Sequence, residues 1–184
     1  MKEITNNLIR KMCLAAMFLA LAYLLPLVTM QIQEIGNMLT PMHIPIILAG
    51  FILGPYYGLI LGFIAPLTRS LMFGMPPIYP TALCMSFELA TYGFISGLFF
   101  KYIFKNKTLI TNIYLSLIIA MISGRFIWGI ARLLCGLIDA NMFTFSLFIS
   151  GAFITAWPGI IIQLILIPLI MYALYKTNLL KRFY

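Results

Sequence analysis

Long apolar segments with very few charged residues between them constrain this chain more than any other feature. Of its 184 residues, 63% are hydrophobic and only 9% are charged, and the mean hydropathy is +1.06. A soluble domain carries about a quarter charged residues, so this chain lacks the polar side chains that a water-facing surface needs. Lipid must therefore be the solvent for most of its surface. At about 20 residues per spanning helix, the chain predicts an all-α membrane protein with six transmembrane helices, folded as a single domain over residues 1–184.

The basic residues are distributed as topology determinants. The chain has 12 Lys and Arg residues and a formal net charge of +8. Nine of the 12 flank apolar segments: Lys2, Arg10, Lys11, Lys101, Lys105, Lys107, Lys176, Lys181 and Arg182. With a cytoplasmic N-terminus all nine lie on the cytoplasmic side, as the positive-inside rule requires. The pattern predicts a multi-pass protein of the cytoplasmic (inner) membrane with both termini in the cytoplasm, and it offers no basic face for nucleic acid.

Prolines and glycines divide the apolar sequence into segments. The predicted spans are Met12–Met30, Met38–Leu53, Tyr56–Phe73, Thr81–Phe100, Ile113–Leu137 and Leu147–Tyr175. Gly54 and Pro55 predict a tight turn, so the second and third spans should form a helical hairpin. The proline-rich segment 74–80 predicts a loop rather than a helix.

Four ionisable side chains fall inside the predicted spans: Arg69, Glu88, Arg125 and Arg132. Such a side chain costs on the order of 3 kcal/mol at membrane depth, so it must face the bundle interior, pair with another charge or extend to the surface. Arg125, Trp128 and Arg132 are spaced by three and four residues and therefore share one helix face. That face should point inward or toward the outer end of the bundle.

The arginines have two interpretations. The planar guanidinium group suits a carboxylate or a phosphate, which favours an outward-open ligand cavity with aromatic walls and the loop at Tyr79 above it. Alternatively, the arginines are structural: Glu88 neutralises one of them, while Arg69 or Arg132 extends outward. Both interpretations stay open from the sequence, with Glu88 favoured as structural.

The remaining candidates are weaker. His43 is either a donor to the ligand or a cap at a helix start. Trp157, placed at a helix kink before Pro158, either stacks on a flat ligand or belongs to the interfacial aromatic belt. Glu34 and Asn141 are expected at the outer surface, where a solvated side chain is the default and a ligand contact is the alternative.

The sequence contains no catalytic or metal-binding motif. The single His has no Ser or Asp at motif spacing, and neither a zinc-protease motif nor a phosphate-binding glycine loop occurs. Cys13, Cys84 and Cys135 lack ligand spacing and are interpreted as apolar packing residues. We therefore expect no enzyme, no metal and no cofactor bound by this chain, and no use of ATP by the chain itself.

Three sequence segments resemble a known family. They are His43–Leu59 (HIPIILAGFILGPYYGL), Gly62–Leu67 (GFIAPL) and Phe87–Gly93 (FELATYG). They are similar to the substrate-binding S components of energy-coupling factor (ECF) vitamin transporters, and the chain length, the predicted helix number and the basic N-terminus match as well. The resemblance covers nearly the whole chain.

The resemblance implies capture of a vitamin or related micronutrient from outside the cell. It further implies docking on a transmembrane T component with two ATPase subunits, which would use the ATP. Family members dock through an Ala-xxx-Ala pattern in the first helix, which carries over to Ala16 and Ala20; intramolecular packing is the alternative for this pair. Ligand contacts in the family come from the first outer loop and the outer ends of the later helices. The corresponding positions here are Glu34, Arg69, Tyr79, Arg125, Trp128, Arg132, Asn141 and Trp157.

The excess of arginine over glutamate within the spans suggests an anionic ligand. Two other hypotheses compete with the S component. A stand-alone secondary transporter would use Glu88 and the arginines as a relay for protons or substrate, although most such carriers are longer and contain paired repeats. A membrane enzyme or scaffold is disfavoured by the missing catalytic motifs.

Overall fold

The computed structural model describes residues 2–28, 38–138, 150 and 155–177, and within these ranges the chain is helical without a strand. Six α-helices of 11 residues or more occur there. They are α1 (Lys2–Val28), α2 (His43–Leu53), α3 (Pro55–Phe73), α4 (Leu83–Leu98), α5 (Leu109–Ile138) and α6 (Trp157–Lys176). The segment Ile78–Ala82, which is kinked at Tyr79, leads into α4, and a π-helical turn, Phe99–Ile103, follows α4.

Five of these helical segments are long and apolar enough to cross a bilayer. They are Asn7–Leu27, Pro55–Phe73, Ile78–Ile103, Leu109–Leu137 and Trp157–Lys176. The prediction of a multi-pass helical membrane protein is confirmed. Helix α2 is different, because its 11 residues extend only about 16 Å, roughly half of the hydrocarbon core.

Helices α2 and α3 form the predicted hairpin around Gly54. The backbone of Gly54 has φ 102°, and its N–H donates to the Gly50 carbonyl at 3.0 Å, which ends α2. That φ lies in the region where glycine is the residue of choice. Pro55 follows as the first residue of α3, a position where its missing N–H costs nothing.

Glycines bring α2, α3 and α4 into direct backbone contact. A Cβ added at Gly58 would collide with the backbone of Gly93, and a Cβ at Gly93 would collide with Gly58. One turn further along α3, a Cβ at Gly62 would collide with the backbone of Leu89. Such close approach is possible only where no side chain intervenes. We call this set the glycine seam: Gly50, Gly58, Gly62, Gly93 and Gly97.

Several predicted boundaries are wrong by a few residues. The proline-rich loop agrees with the prediction, because Gly74 ends α3 and Tyr79 keeps an extended backbone (φ −113°, ψ 134°). The fourth span continues past Lys101 to Ile103, and α5 begins at Leu109 rather than Ile113. The described last helix begins at Trp157; the predicted start of the last span at Leu147 lies outside the described residues, as do 139–149 and 151–154 as a whole.

Helix α2 occupies the centre of the bundle, since all 11 of its residues are buried. Just before it, Thr40 has a positive φ of 43° and interrupts the helical path. The side chain of Gln163 in α6 donates to the Thr40 hydroxyl at 2.7 Å. Irregular backbone at membrane depth must be buried within the protein. The hydrogen bond from Gln163 gives the Thr40 side chain a polar partner at this irregular point.

Candidate substrate-binding site

The buried carboxylate of Glu88 gathers side chains from three helices. Arg125 of α5 lies 2.9 Å from Glu88 Oε1, measured from its Nη1. The Tyr92 hydroxyl, one turn further along α4, donates to the same oxygen at 3.0 Å. His43, the first residue of α2, places Nε2 at 3.6 Å from it. We call these four residues the Glu88 cluster.

Burial makes the charge balance of this cluster important. Glu88 is 2% exposed and Arg125 12%, so both charges are removed from water and each depends on the other. The sequence left open which arginine Glu88 neutralises. The geometry assigns Arg125 to that role, and the positive charge of Arg125 is balanced inside the protein.

His43 does not cap a helix. The residue before α2 is Met42, and no side-chain hydrogen bond caps this helix. The imidazole ring lies 5.2 Å from the ring of Tyr92, and neither ring nitrogen has a partner at hydrogen-bond distance. His43 is therefore a buried member of the Glu88 cluster whose ring nitrogens are not saturated by the protein.

Arg132 has a different environment from Arg125. Its guanidinium carbon lies 5.4 Å from the centre of the Trp128 ring, a cation–π arrangement on one face of α5. Arg132 Nε is buried without a hydrogen-bond partner, and no acidic side chain pairs with this residue among the described parts of the chain. Arg132 thus retains a positive charge, with its planar group held against an aromatic wall.

Arg69 is bound to the loop that follows its own helix. Its Nη1 donates to the Met75 carbonyl at 2.8 Å, and the neighbouring Ser70 hydroxyl donates to the Pro76 carbonyl. At the other end of this loop, the Tyr79 hydroxyl donates to the Cys135 carbonyl of α5 at 3.4 Å. The loop therefore connects the carboxyl-terminal ends of α3 and α5, while no hydrogen bond within the described ranges joins Arg69 directly to Arg132.

The predicted site residues are only partly brought together. Trp157 is the first residue of α6 and is exposed, so its predicted position at a kink inside the helix is wrong. Glu34 and Asn141 lie outside the described residues, as do the segments 29–37 and 139–149 that would border the predicted cavity.

Sequence reasoning missed two contacts. Tyr92 lies four residues after Glu88, a helical spacing that offered a signal for their hydrogen bond. Cys84 and Cys135 bring their sulfur atoms to 3.6 Å between α4 and α5, and nothing in their sequence spacing indicates this. In the described part of the chain no group of three metal-ligating side chains occurs.

The two alanines of the docking pattern are exposed on α1. They belong to a stripe of exposed residues spaced by three and four, whereas Phe18 and Ala22 on the other face are buried. The stripe consists of Ile9, Met12, Cys13, Ala16, Met17, Ala20, Leu21 and Leu24. This face of α1 presents a smooth apolar surface with small residues at its centre.

A comparison with protein families agrees with this arrangement. Residues 10–171 match the family described as ECF transporter, substrate-specific component. No curated protein and no solved structure is significantly similar to the chain. The match covers most of the 184 residues, and it favours substrate capture over a stand-alone carrier. The chain therefore belongs to the ECF transporter substrate-specific components, which bind the substrate of a transporter, are not enzymes, and work with a membrane T component and ATPases.

Proposed function

We propose that this chain captures a small organic anion, a vitamin or a related micronutrient, at the outer end of its helix bundle. It then delivers the substrate to a T component with two ATPase subunits. Family membership supports the transport role. The chain has no nucleotide-binding motif, so the partner ATPases use the ATP.

In the proposed topology the chain crosses the inner (cytoplasmic) membrane six times, and both termini lie in the cytoplasm. Five helical segments are long enough to cross, and α2 together with residues 38–42 makes the remaining crossing. The basic residues near helix ends, such as Lys101, Lys105 and Lys107, support this orientation through the positive-inside rule.

The anionic character of the substrate is supported by the unequal environments of the three arginines. Glu88 balances Arg125. Arg69 keeps its charge, but its Nη1 donates to the neutral Met75 carbonyl, which holds the side chain against the loop. Arg132 retains its charge beside Trp128. This single observation carries the proposal, since a guanidinium group on an aromatic wall suits a carboxylate attached to a flat or apolar body.

Native mass spectrometry of the purified protein tests the substrate. We expect a co-purifying small organic acid in the wild type. Arg132→Ala should bind the identified acid at least about tenfold more weakly, which corresponds to roughly 1.4 kcal/mol. Arg10→Ala, which removes a charge from the cytoplasmic end of α1, is the matched control and should bind normally. Unchanged affinity in a folded Arg132→Ala variant would remove Arg132 from the site.

The docking surface is tested separately. Ala16 and Ala20 are exposed on α1, and a large side chain there should prevent close helix contact with the T component. We expect Ala16→Trp and Ala20→Trp to abolish co-purification of the T component and the ATPases. Ile122→Trp, a change at an equally lipid-exposed position on α5, should leave the complex intact. Retention of the complex by both alanine variants would place docking elsewhere.

A further inference from the structure

An open apolar groove separates α5 from α6, far along both helices from Arg132 and Trp157. Its volume is about 320 Å³. It is lined by Ile110, Ile113, Tyr114, Ile165, Pro168, Leu169 and Tyr172. We call it the α5–α6 groove. Most of its lining side chains are exposed at the bundle surface, where a membrane protein meets lipid.

The groove lies near one end of the bundle. Ile110 belongs to the first turn of α5, directly after the basic loop, and Tyr172 lies one turn before the end of α6. With the proposed orientation, this end faces the cytoplasm, so the groove opens into the inner leaflet. The position of the groove in the inner leaflet rests on that proposed orientation and not on the identity of the substrate.

Both walls of the groove end in a lysine. Lys176 lies four residues after Tyr172 and therefore continues the same face of α6. Lys107 lies three residues before Ile110, in the loop that leads into α5. Both lysines are exposed, and residues 104–138 and 157–177 contain no acidic residue to compensate them.

We propose that the α5–α6 groove binds one anionic glycerophospholipid of the inner leaflet. One acyl chain lies along the apolar lining, and the headgroup phosphate lies between Lys107 and Lys176. The groove is lined by apolar side chains and is open along the lipid-facing surface of the bundle, which suits an acyl chain. The two lysines favour an anionic headgroup over a neutral one.

The bound lipid stabilises the attachment of α6. Pro168 lacks the N–H that would complete the helical hydrogen bonding and lies in the groove wall. The groove is the space that α5 and α6 leave between them at this depth. An ordered acyl chain fills this space and contacts both helices, so removal of the lipid should lower the stability of the pair.

Reconstitution of the full chain into nanodiscs tests the proposal. Phosphatidylcholine discs, with or without phosphatidylglycerol, are compared by thermal unfolding and by native mass spectrometry of retained lipid. We expect phosphatidylglycerol to raise the unfolding midpoint and to be retained on the protein. Loss of both lysines in Lys107→Gln/Lys176→Gln should weaken its affinity roughly 30-fold, since each basic residue near the surface contributes about a factor of five. Inorganic phosphate in phosphatidylcholine discs should have no effect, because the acyl chain is required.

Two controls distinguish lipid binding in the α5–α6 groove from a general attraction of anionic lipid to positive charge at the same membrane surface. Arg10→Gln removes a positive charge at the same membrane surface but on α1, and it should retain phosphatidylglycerol as the wild type does. Leu169→Trp fills the groove without changing the charge, and it should lose the retained lipid. Equal stability in both lipid compositions, or full retention by either the double lysine variant or Leu169→Trp, would overturn the proposal. A protein chain seated on the groove, detected by cross-linking at Leu169, would overturn it as well.

Discussion

Helix α4 packs against its neighbours in two different ways. Toward α2 and α3 it uses the glycine seam, where backbones touch and side chains are absent. Toward α5 it uses buried polar groups: the carboxylate of Glu88, the guanidinium of Arg125 and the hydroxyl of Tyr92. Both interfaces are buried in the same bundle. The interface with α2 and α3 requires that side chains be absent, and the interface with α5 requires that each buried charge have a partner of opposite sign.

The difference separates a fixed part of the molecule from an adjustable one. The helices cannot pack differently at the glycine seam, because a side chain added at any of these glycines would collide with the facing backbone and force the helices apart. The ion pair at Glu88 is set by side chains that have rotatable bonds, so it can rearrange without moving the backbone of either helix. The α2–α4 unit is therefore the more rigid part of the bundle, and the contact between α4 and α5 is the more adjustable one.

The largest effect is expected from Gly58→Leu. Its side chain would collide with the backbone of Gly93, so the glycine seam must open, at a cost of more than about 3 kcal/mol. We expect loss of monodisperse folded protein in fluorescence-detected size-exclusion chromatography. Leu59→Phe adds volume to the next residue, which is exposed, and should elute as the wild type does. A well-folded Gly58→Leu protein would show that α3 and α4 are not in backbone contact.

A smaller effect is expected from removing one charge of the ion pair. Glu88→Gln leaves the charge of Arg125 buried without compensation and should lower the free energy of unfolding by about 3 kcal/mol. Adding Arg125→Met should recover more than half of that loss, because no uncompensated charge remains. Thermal unfolding of the two single variants and the double variant completes a double-mutant cycle. Additive losses would mean that the two charges do not interact.

Removal of one hydroxyl should have a still smaller effect. Tyr92→Phe deletes the hydrogen bond to Glu88 but keeps the buried ring, and we expect a loss of about 1 kcal/mol. Tyr23→Phe is the control, since its hydroxyl contacts Thr68, whose own hydroxyl also bonds to the Ile64 carbonyl. The control should therefore lose less stability than Tyr92→Phe in the same unfolding assay. The opposite order would remove Tyr92 from the Glu88 cluster.

The smallest effect on stability is expected from joining two cysteines, a test of the distance between α4 and α5. Cys84 and Cys135 have sulfur atoms 3.6 Å apart, so oxidation by copper–phenanthroline should join α4 to α5 with the loss of two hydrogen atoms and little change in stability. Peptide mass spectrometry after digestion would detect the linked pair. Cys13, exposed on α1, should remain outside this intramolecular pair. Recovery of Cys84 and Cys135 as separate thiols would contradict the packing of α4 on α5.

The helical membrane fold could be predicted from the sequence because a lipid bilayer requires long apolar helices. Apolar length and the placement of basic residues are properties of single segments, so they are visible without tertiary information. The glycine spacing at Gly50, Gly54, Gly58 and Gly62 also carried a signal of close helix packing. The turn at residues 155–156 that precedes α6 was not predicted, because the apolar sequence continues through it without a change in hydropathy.

The candidate site was less predictable. The shared face of Arg125, Trp128 and Arg132 follows from helical spacing within one segment. The pairing of Glu88 with Arg125 rather than Arg132 depends on the relative depth of α4 and α5, which no single segment specifies. The position of His43 beside Glu88 depends on where α2 starts, and that start is set by the interruption at Thr40.

The short length of α2 has an electrostatic consequence. A helix that begins partway across the bundle carries the positive end of its macrodipole into the interior, with about half an elementary charge at its amino end. His43 is the first residue of α2 and lies beside Glu88, so this partial charge lies near the carboxylate. Glu88 consequently has a favourable interaction with the amino end of α2 in addition to its ion pair with Arg125.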